Sequence, residues 1–146
     1  MEKGKISYAG VGASVAGVIG ILGVYATWWE TPLRDFNGTA DTAGVLALAM
    51  SIGLFAFGAA YVVMSDPQIR RAMGALATLC AVILTLACVW GAVGADNVAP
   101  DATVGTGLIV SALGGVLGIA AGLLVVRDNQ QTEAAAPEVA DDGATV

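Results

Sequence analysis

Histidine is absent from this chain of 146 residues, and only 12% of the residues are charged. The absence of histidine removes the commonest haem and metal ligand and the usual proton shuttle near neutral pH. Cysteine occurs only as Cys80 and Cys88, in one apolar run. On a helix they would lie about 12 Å apart, too far for a disulfide, and they form no CxxC redox motif. We interpret both as small apolar side chains.

Basic residues are also scarce, with six Lys and Arg against twelve Asp and Glu, a formal net charge of −6. Five of the acids follow Arg127, so the body of the chain, residues 1–127, carries only −1. A basic patch or stripe is missing from the sequence, which disfavours nucleic acid as a partner.

Long apolar runs are what the sequence has in abundance: 57% of residues are hydrophobic, and the mean hydropathy is +0.79. Four runs lack every charged residue, Asn and Gln, and they cover residues 8–29, 43–64, 72–95 and 102–126. Even the shortest gives about 33 Å of helix, enough to cross a hydrocarbon core of roughly 30 Å. The predicted fold is an all-α membrane protein, an antiparallel bundle of four transmembrane helices over residues 1–127. Residues 128–146 are predicted to be a disordered acidic cytoplasmic tail.

The distribution of basic residues predicts which way the helices run. With the N-terminus in the cytoplasm, five of the six bases are cytoplasmic and only Arg34 is outside; the five are Lys3, Lys5, Arg70, Arg71 and Arg127. This bias predicts a multi-pass membrane protein with both termini inside. The first run is longer than the apolar core of a secretory signal peptide, so we interpret it as a span.

Aromatic and basic residues near the predicted helix ends are interpreted as interface anchors. Trp28 and Trp29 close the first helix and Trp90 closes the third, all on the outer side. Arg70 and Arg71 lie in the first turn of the third helix, where they reach lipid head groups. Recognition of a phosphate group by these two arginines is the alternative.

The predicted loops contain helix-start and turn signals. Asp66 followed by Pro67 is typical of an N-cap and first helical position, and Asp41 is a second N-cap candidate. Asn37-Gly38-Thr39 is both a turn signal and a glycosylation sequon, so Asn37 is a candidate glycosylation site.

Five acids face outward in the predicted topology: Glu30, Asp35, Asp41, Asp96 and Asp101. A calcium or magnesium site could be assembled from them, but their spacing does not require one. We interpret them as solvated loop charges. The sequence therefore predicts no metal, no cofactor and no catalytic residue.

Helices in lipid associate through close backbone approach, which small residues permit. Each predicted span has small residues recurring at steps of four and three; the packing residues predicted from this spacing are Ala13, Gly20, Gly53, Ala56, Gly74, Ala81, Gly114 and Gly118. A period of 3.5 residues predicts left-handed crossings, while the four-residue ridge through Gly114 and Gly118 is a competing pattern.

The function indicated by these features is binding rather than chemistry. Ion-coupled transporters and pumps carry ionisable residues inside their spans, and this sequence has none there. The usual nucleophile–base pairs of enzymes need histidine, which disfavours an enzyme. The leading hypothesis is an accessory or scaffold subunit that binds another membrane protein; the other partners predicted are the lipid bilayer and copies of the chain itself. The alternative is a small oligomeric pore or a transporter for an uncharged solute.

The Trp28-Trp29 pair, the helix restart over residues 41–44 and the Ala/Val/Gly-rich spans resemble the small uncharacterised four-helix membrane proteins of haloarchaea and actinobacteria. The resemblance covers residues 8–126 at the level of pattern. It implies a prokaryotic cell membrane and carries over no functional residues.

The predicted topology can be checked by labelling single cysteines with a membrane-impermeant reagent. In a chain whose native cysteines are replaced by alanine, Asp41→Cys should be labelled from outside, and Arg70→Cys only after the membrane is opened. Labelling of both positions from the same side would contradict a four-span arrangement.

Overall fold

The computed structural model describes residues 8–94 and 101–134, with side chains described up to Arg127. Four helices dominate it: α1 (Tyr8–Tyr25), α2 (Thr42–Val63), α3 (Pro67–Val93) and α4 (Thr106–Ala134). Three short strands lie between them: β1 (Thr27–Glu30), β2 (Asp35–Asn37) and β3 (Thr103–Val104). A single 3₁₀ turn, Gly38–Ala40, precedes α2.

All four helices are long and apolar enough to cross a membrane, which confirms that part of the prediction. Each helix packs on two neighbours, in the cyclic order α1, α2, α3, α4. Neighbours run antiparallel, because Gly10 at the start of α1 lies against Tyr61 near the end of α2. In the same way Gly12 faces Ala121, in the second half of α4.

Several helix contacts are made backbone to backbone. A Cβ added to Gly17 of α1 would lie 2.5 Å from the backbone nitrogen of Phe55 in α2. A Cβ added to Gly114 of α4 would lie 2.8 Å from the backbone nitrogen of Gly20 in α1. Both distances are far shorter than a van der Waals contact, so the glycines set the separation of these helices.

The predicted small residues are buried in three helices. Those of α1, α3 and α4 line the packed faces of the bundle: Ala13, Gly20, Gly74, Ala81, Gly114 and Gly118. In α2 the predicted packing face is wrong, because Ala56 is exposed and Gly53 is only half-buried. The packed face of α2 instead contains Leu54 and Tyr61. Small residues recur on both sides of α2, so their spacing alone did not identify the side that carries these larger groups.

The ends of two predicted helices are corrected by the structure. The first helix ends at Tyr25 rather than at residue 29, and residues 27–30 form β1 because Thr and Trp favour extended backbone. The last helix begins at Thr106 rather than at residue 102, and it continues past Arg127 to Ala134. The first part of the predicted tail is therefore helical, and residues 135–146 lie outside the described residues.

Both predicted N-caps are confirmed. The Asp41 carboxylate accepts a hydrogen bond from the backbone N–H of Ala43 at the start of α2. The Asp66 carboxylate accepts from the N–H groups of Gln68 and Ile69, and Pro67 occupies the first turn of α3. These bonds satisfy donors that have no partner within the helix. Residues 64–66 thus make a tight turn between α2 and α3, and we call this end of the bundle the turn end.

The contact between α1 and α4 can be tested with two glycine substitutions. Gly114→Ala should destabilise the fold by about 1–3 kcal/mol, because its methyl group would overlap the backbone of α1. Gly12→Ala is the matched control, since its Cβ would lie at an ordinary 3.5 Å from Ala121. Thermal unfolding in detergent, followed by circular dichroism, measures both variants. Equal stability of the two would contradict backbone contact at Gly114.

Candidate functional site

The end of the bundle opposite the turn end is closed by a three-stranded sheet, and we call it the sheet end. β1 is the central strand and pairs antiparallel with β2 on one side and β3 on the other. Within the sheet Glu30 is opposite both Asp35 and Thr103. The backbone N–H of Gly105 adds a 2.7 Å hydrogen bond to the carbonyl of Trp28. The sheet therefore joins the segment after α1 to the segment before α4.

A bulge in β1 lets two consecutive tryptophans point into the protein. Neighbouring residues of a regular strand point to opposite faces, yet Trp28 and Trp29 are both fully buried. Thr27 pairs with Asn37, whereas Trp29 pairs with Phe36, so β1 contains one residue more than β2 over this stretch. An extra residue of this kind changes the direction of the strand's side chains.

Each buried indole has a hydrogen-bond partner on a helix. Trp28 Nε1 donates to the carbonyl of Gly23 in α1 at 3.1 Å, and Trp29 Nε1 donates to the carbonyl of Gly91 in α3 at 3.3 Å. The two rings meet edge to face, with centroids 5.6 Å apart. These contacts fix the sheet to helices on two sides of the bundle.

Glycines make room for this arrangement. A Cβ at Gly38 would lie 2.7 Å from the Trp28 ring, and one at Gly44 would overlap the carbonyl of Gly38. The 3₁₀ turn is thus held between Trp28 and the first turn of α2. These two glycines therefore allow the turn to contact both the Trp28 ring and α2 directly.

The role predicted for Trp28 and Trp29 is therefore wrong. As buried residues of a strand they do not contact a membrane interface, whereas Trp90 remains 73% exposed in the last turn of α3. A local sequence signal for this strand was present. Thr27–Glu30 is a strand-favouring sequence, and the turn formers Pro32 and Asn37-Gly38 follow it.

The loop between β1 and β2 forms a fixed apex. We call residues 31–34 the hairpin apex. The Thr31 hydroxyl accepts a hydrogen bond from the backbone N–H of Arg34 and donates one to the Arg34 carbonyl. The Arg34 guanidinium lies over the ring of Phe36, 5.4 Å from its centroid. Between these anchored residues, Leu33 is 98% exposed, so the apex presents an apolar side chain on an ordered backbone.

Polar side chains surround the apex on the strands and loops of the sheet end. Asn37 is exposed, and its side-chain oxygen accepts a hydrogen bond of 2.7 Å from the Thr39 hydroxyl. Its glycosylation stays a prediction. Four of the acids that were predicted to face outward are exposed: Glu30, Asp35, Asp41 and Asp101. Asp96 lies outside the described residues.

The two arginines at the turn end have different surroundings. The Arg70 guanidinium lies 4.6 Å from the centroid of the Tyr61 ring, and Tyr61 itself is buried between helices. Arg71 is exposed. A cation over an aromatic face is a stabilising contact, so Arg70 helps to hold α3 against α2. Contact of either arginine with lipid head groups stays a prediction.

The interior of the bundle contains buried leucines and two buried hydroxyls that are hydrogen-bonded to backbone carbonyls. Leu54 and Leu84 are fully buried. The buried Ser51 hydroxyl donates to the carbonyl of Ala47, and the buried Ser111 hydroxyl donates across to the carbonyl of Gly20 in α1. Hydroxyls that donate to backbone carbonyls in this way can be buried, because their hydrogen-bond donors have acceptors. Cys80 and Cys88 are buried free thiols.

Comparison with known proteins finds no protein-family model, no curated protein and no solved structure that matches this chain. The geometry of the sheet end is thus the basis for a functional proposal.

The buried indoles can be tested against the exposed one. Trp29→Phe should cost about 1–3 kcal/mol of unfolding free energy, because it leaves the buried carbonyl of Gly91 without its donor. Trp90→Phe is the control and should change stability by less than about 0.5 kcal/mol, since Trp90 is exposed. Denaturant unfolding in detergent measures both. A larger effect at Trp90 would contradict the burial of the tryptophan pair.

Proposed function

We propose that this chain is an accessory or scaffold subunit that docks against another membrane protein through its sheet end. It lies in a prokaryotic cell membrane as a left-handed four-helix bundle, with the turn end and both termini in the cytoplasm. The observation that carries the proposal is the hairpin apex, which holds an exposed Leu33 on a backbone fixed by Thr31 and Arg34.

The proposed membrane placement follows from helix length and exposed aromatics. The 18 residues of α1 span about 27 Å, close to the roughly 30 Å of a hydrocarbon core. Exposed tyrosines stand at both ends of this helix, Tyr8 and Tyr25, and Trp90 is exposed at the sheet end. Aromatic side chains with polar groups favour the two interfaces of a bilayer. The sheet then lies just outside the membrane, where a partner can reach it.

A docking role is supported by the order already present at the apex. Association costs free energy for every loop and side chain that must be ordered, and a preformed loop avoids part of that cost. The apex is held by its own hydrogen bonds, and the strands that carry it are fixed through Trp28 and Trp29. The partner therefore meets a surface that is ready to bind.

The alternative function is an oligomeric pore or a transporter for an uncharged solute. The fully buried Leu54 and Leu84 fill the bundle between its helices, so a passage would have to form between several copies. The exposed helix faces are apolar, as expected for surfaces in lipid. The docking role needs only the sheet end as it stands, and for that reason we favour it.

Native mass spectrometry of the tagged full chain, extracted gently from its own membrane, tests the proposal. The expected result is a complex with one heterologous subunit in fixed stoichiometry. Leu33→Ser should reduce its recovery by about ten-fold, because burying a leucine is worth about 1.5–3 kcal/mol. Val63→Ser is the matched control, an exposed apolar residue at the turn end that should leave recovery unchanged.

Two results would contradict the docking proposal. A homo-oligomer that makes vesicles leaky to small uncharged solutes would favour the pore. Equal loss of the complex with Leu33→Ser and Val63→Ser would mean that the hairpin apex is not the contact.

A further inference from the structure

We infer that the partner segment which meets the hairpin apex is basic, with lysine or arginine side chains around an apolar socket for Leu33. The inference rests on the proposed docking function and adds the chemistry of the partner to it.

The charge of the sheet end is the first argument. Among the described residues it exposes four carboxylates and one guanidinium, a net charge of −3; they are Glu30, Asp35, Asp41, Asp101 and Arg34. Glu30 and Asp35 lie in paired strands of the sheet, while Asp41 and Asp101 lie in the segments that flank it. The Debye length at physiological ionic strength is about 8 Å, so the paired acids act together on an approaching surface. A positively charged segment is attracted, and a negatively charged one is repelled.

The pairing of the strands is the second argument. Glu30 and Asp35 are direct partners across the antiparallel β1–β2 ladder, at the base of the hairpin apex. Like charges in directly opposite positions destabilise a sheet. Arg34 is next in sequence to Asp35, but its guanidinium lies over the ring of Phe36. A cationic side chain from a partner would relieve the repulsion between Glu30 and Asp35.

A protein fits this surface better than a metal ion does. Among the side chains described in residues 8–94 and 101–127, no group of three or more Cys, Asp or Glu is arranged to hold a metal. Leu33 lies in the loop that joins Glu30 to Asp35, and a metal ion would leave this exposed side chain in water. A basic protein segment with an apolar socket accounts for both the carboxylates and the leucine.

Site-specific photo-cross-linking in the native membrane tests the inference. A photoreactive amino acid replaces Leu33 in the full chain, and the same residue placed at Ser65, exposed at the turn end, is the control. The expected result is one cross-linked protein from position 33 only, whose attached peptide contains more Lys and Arg than Asp and Glu. The double variant Glu30→Gln/Asp35→Asn should lower the yield by about three- to five-fold, as expected for losing two exposed charge contacts. Arg34→Gln should preserve or raise the yield.

The outcomes separate this inference from the docking proposal. A cross-link to a neutral or acidic peptide, or a yield that is unchanged when Glu30 and Asp35 are neutralised, overturns the basic partner and leaves docking intact. Adducts confined to lipid or to a second copy of this chain overturn the inference. Equal cross-linking from positions 33 and 65, or none from position 33, overturns both proposals.

Discussion

Backbone contact between α1 and α4 is the constraint on which the rest of the structure depends. At Gly114 the two helices touch with no side chain between them, and nearer the sheet end a Cβ at Gly107 would lie 2.6 Å from the carbonyl of Gly23. Because the helices are this close, the segments that leave α1 and enter α4 emerge side by side. β1 and β3 are then close enough to pair, even though they are far apart in sequence. The pairing of β1 with β3 is thus a consequence of small residues in the helices.

The tryptophan pair anchors the sheet to the helices of the bundle. The bulge directs both indoles inward, and their N–H groups bind carbonyls of α1 and α3. A hairpin of two short strands is marginally stable on its own, but this one is held against a packed bundle. Leu33 is therefore exposed on a hairpin that is anchored to the bundle, as the proposed docking requires. The hydrogen bonds that join the tryptophans to α1 and α3 thus both pack the bundle and position the apex.

Charged and apolar side chains occupy different parts of the bundle. The helices expose mostly apolar side chains, and their packed faces combine small residues with a few larger ones such as Leu54 and Leu84. Charged side chains gather at the two ends, where Arg70 contacts Tyr61 at one end and Arg34 contacts Phe36 at the other. In the described part of the chain, exposed charge is therefore concentrated at the two ends of the bundle.

By itself the sequence determined the four apolar helices, the caps at Asp41 and Asp66, and most of the small residues that pack. These depend on local patterns: runs long enough to cross a bilayer, and side chains that bond to their own helix start. The tertiary structure alone decided the burial of Trp28 and Trp29, the packed face of α2 and the pairing of β1 with β3. Whether a tryptophan in such a strand is buried depends on what packs over it, and pairing of β1 with β3 depends on two distant helices being in contact. Small residues on both sides of α2 likewise leave its rotation to the partners that pack against it.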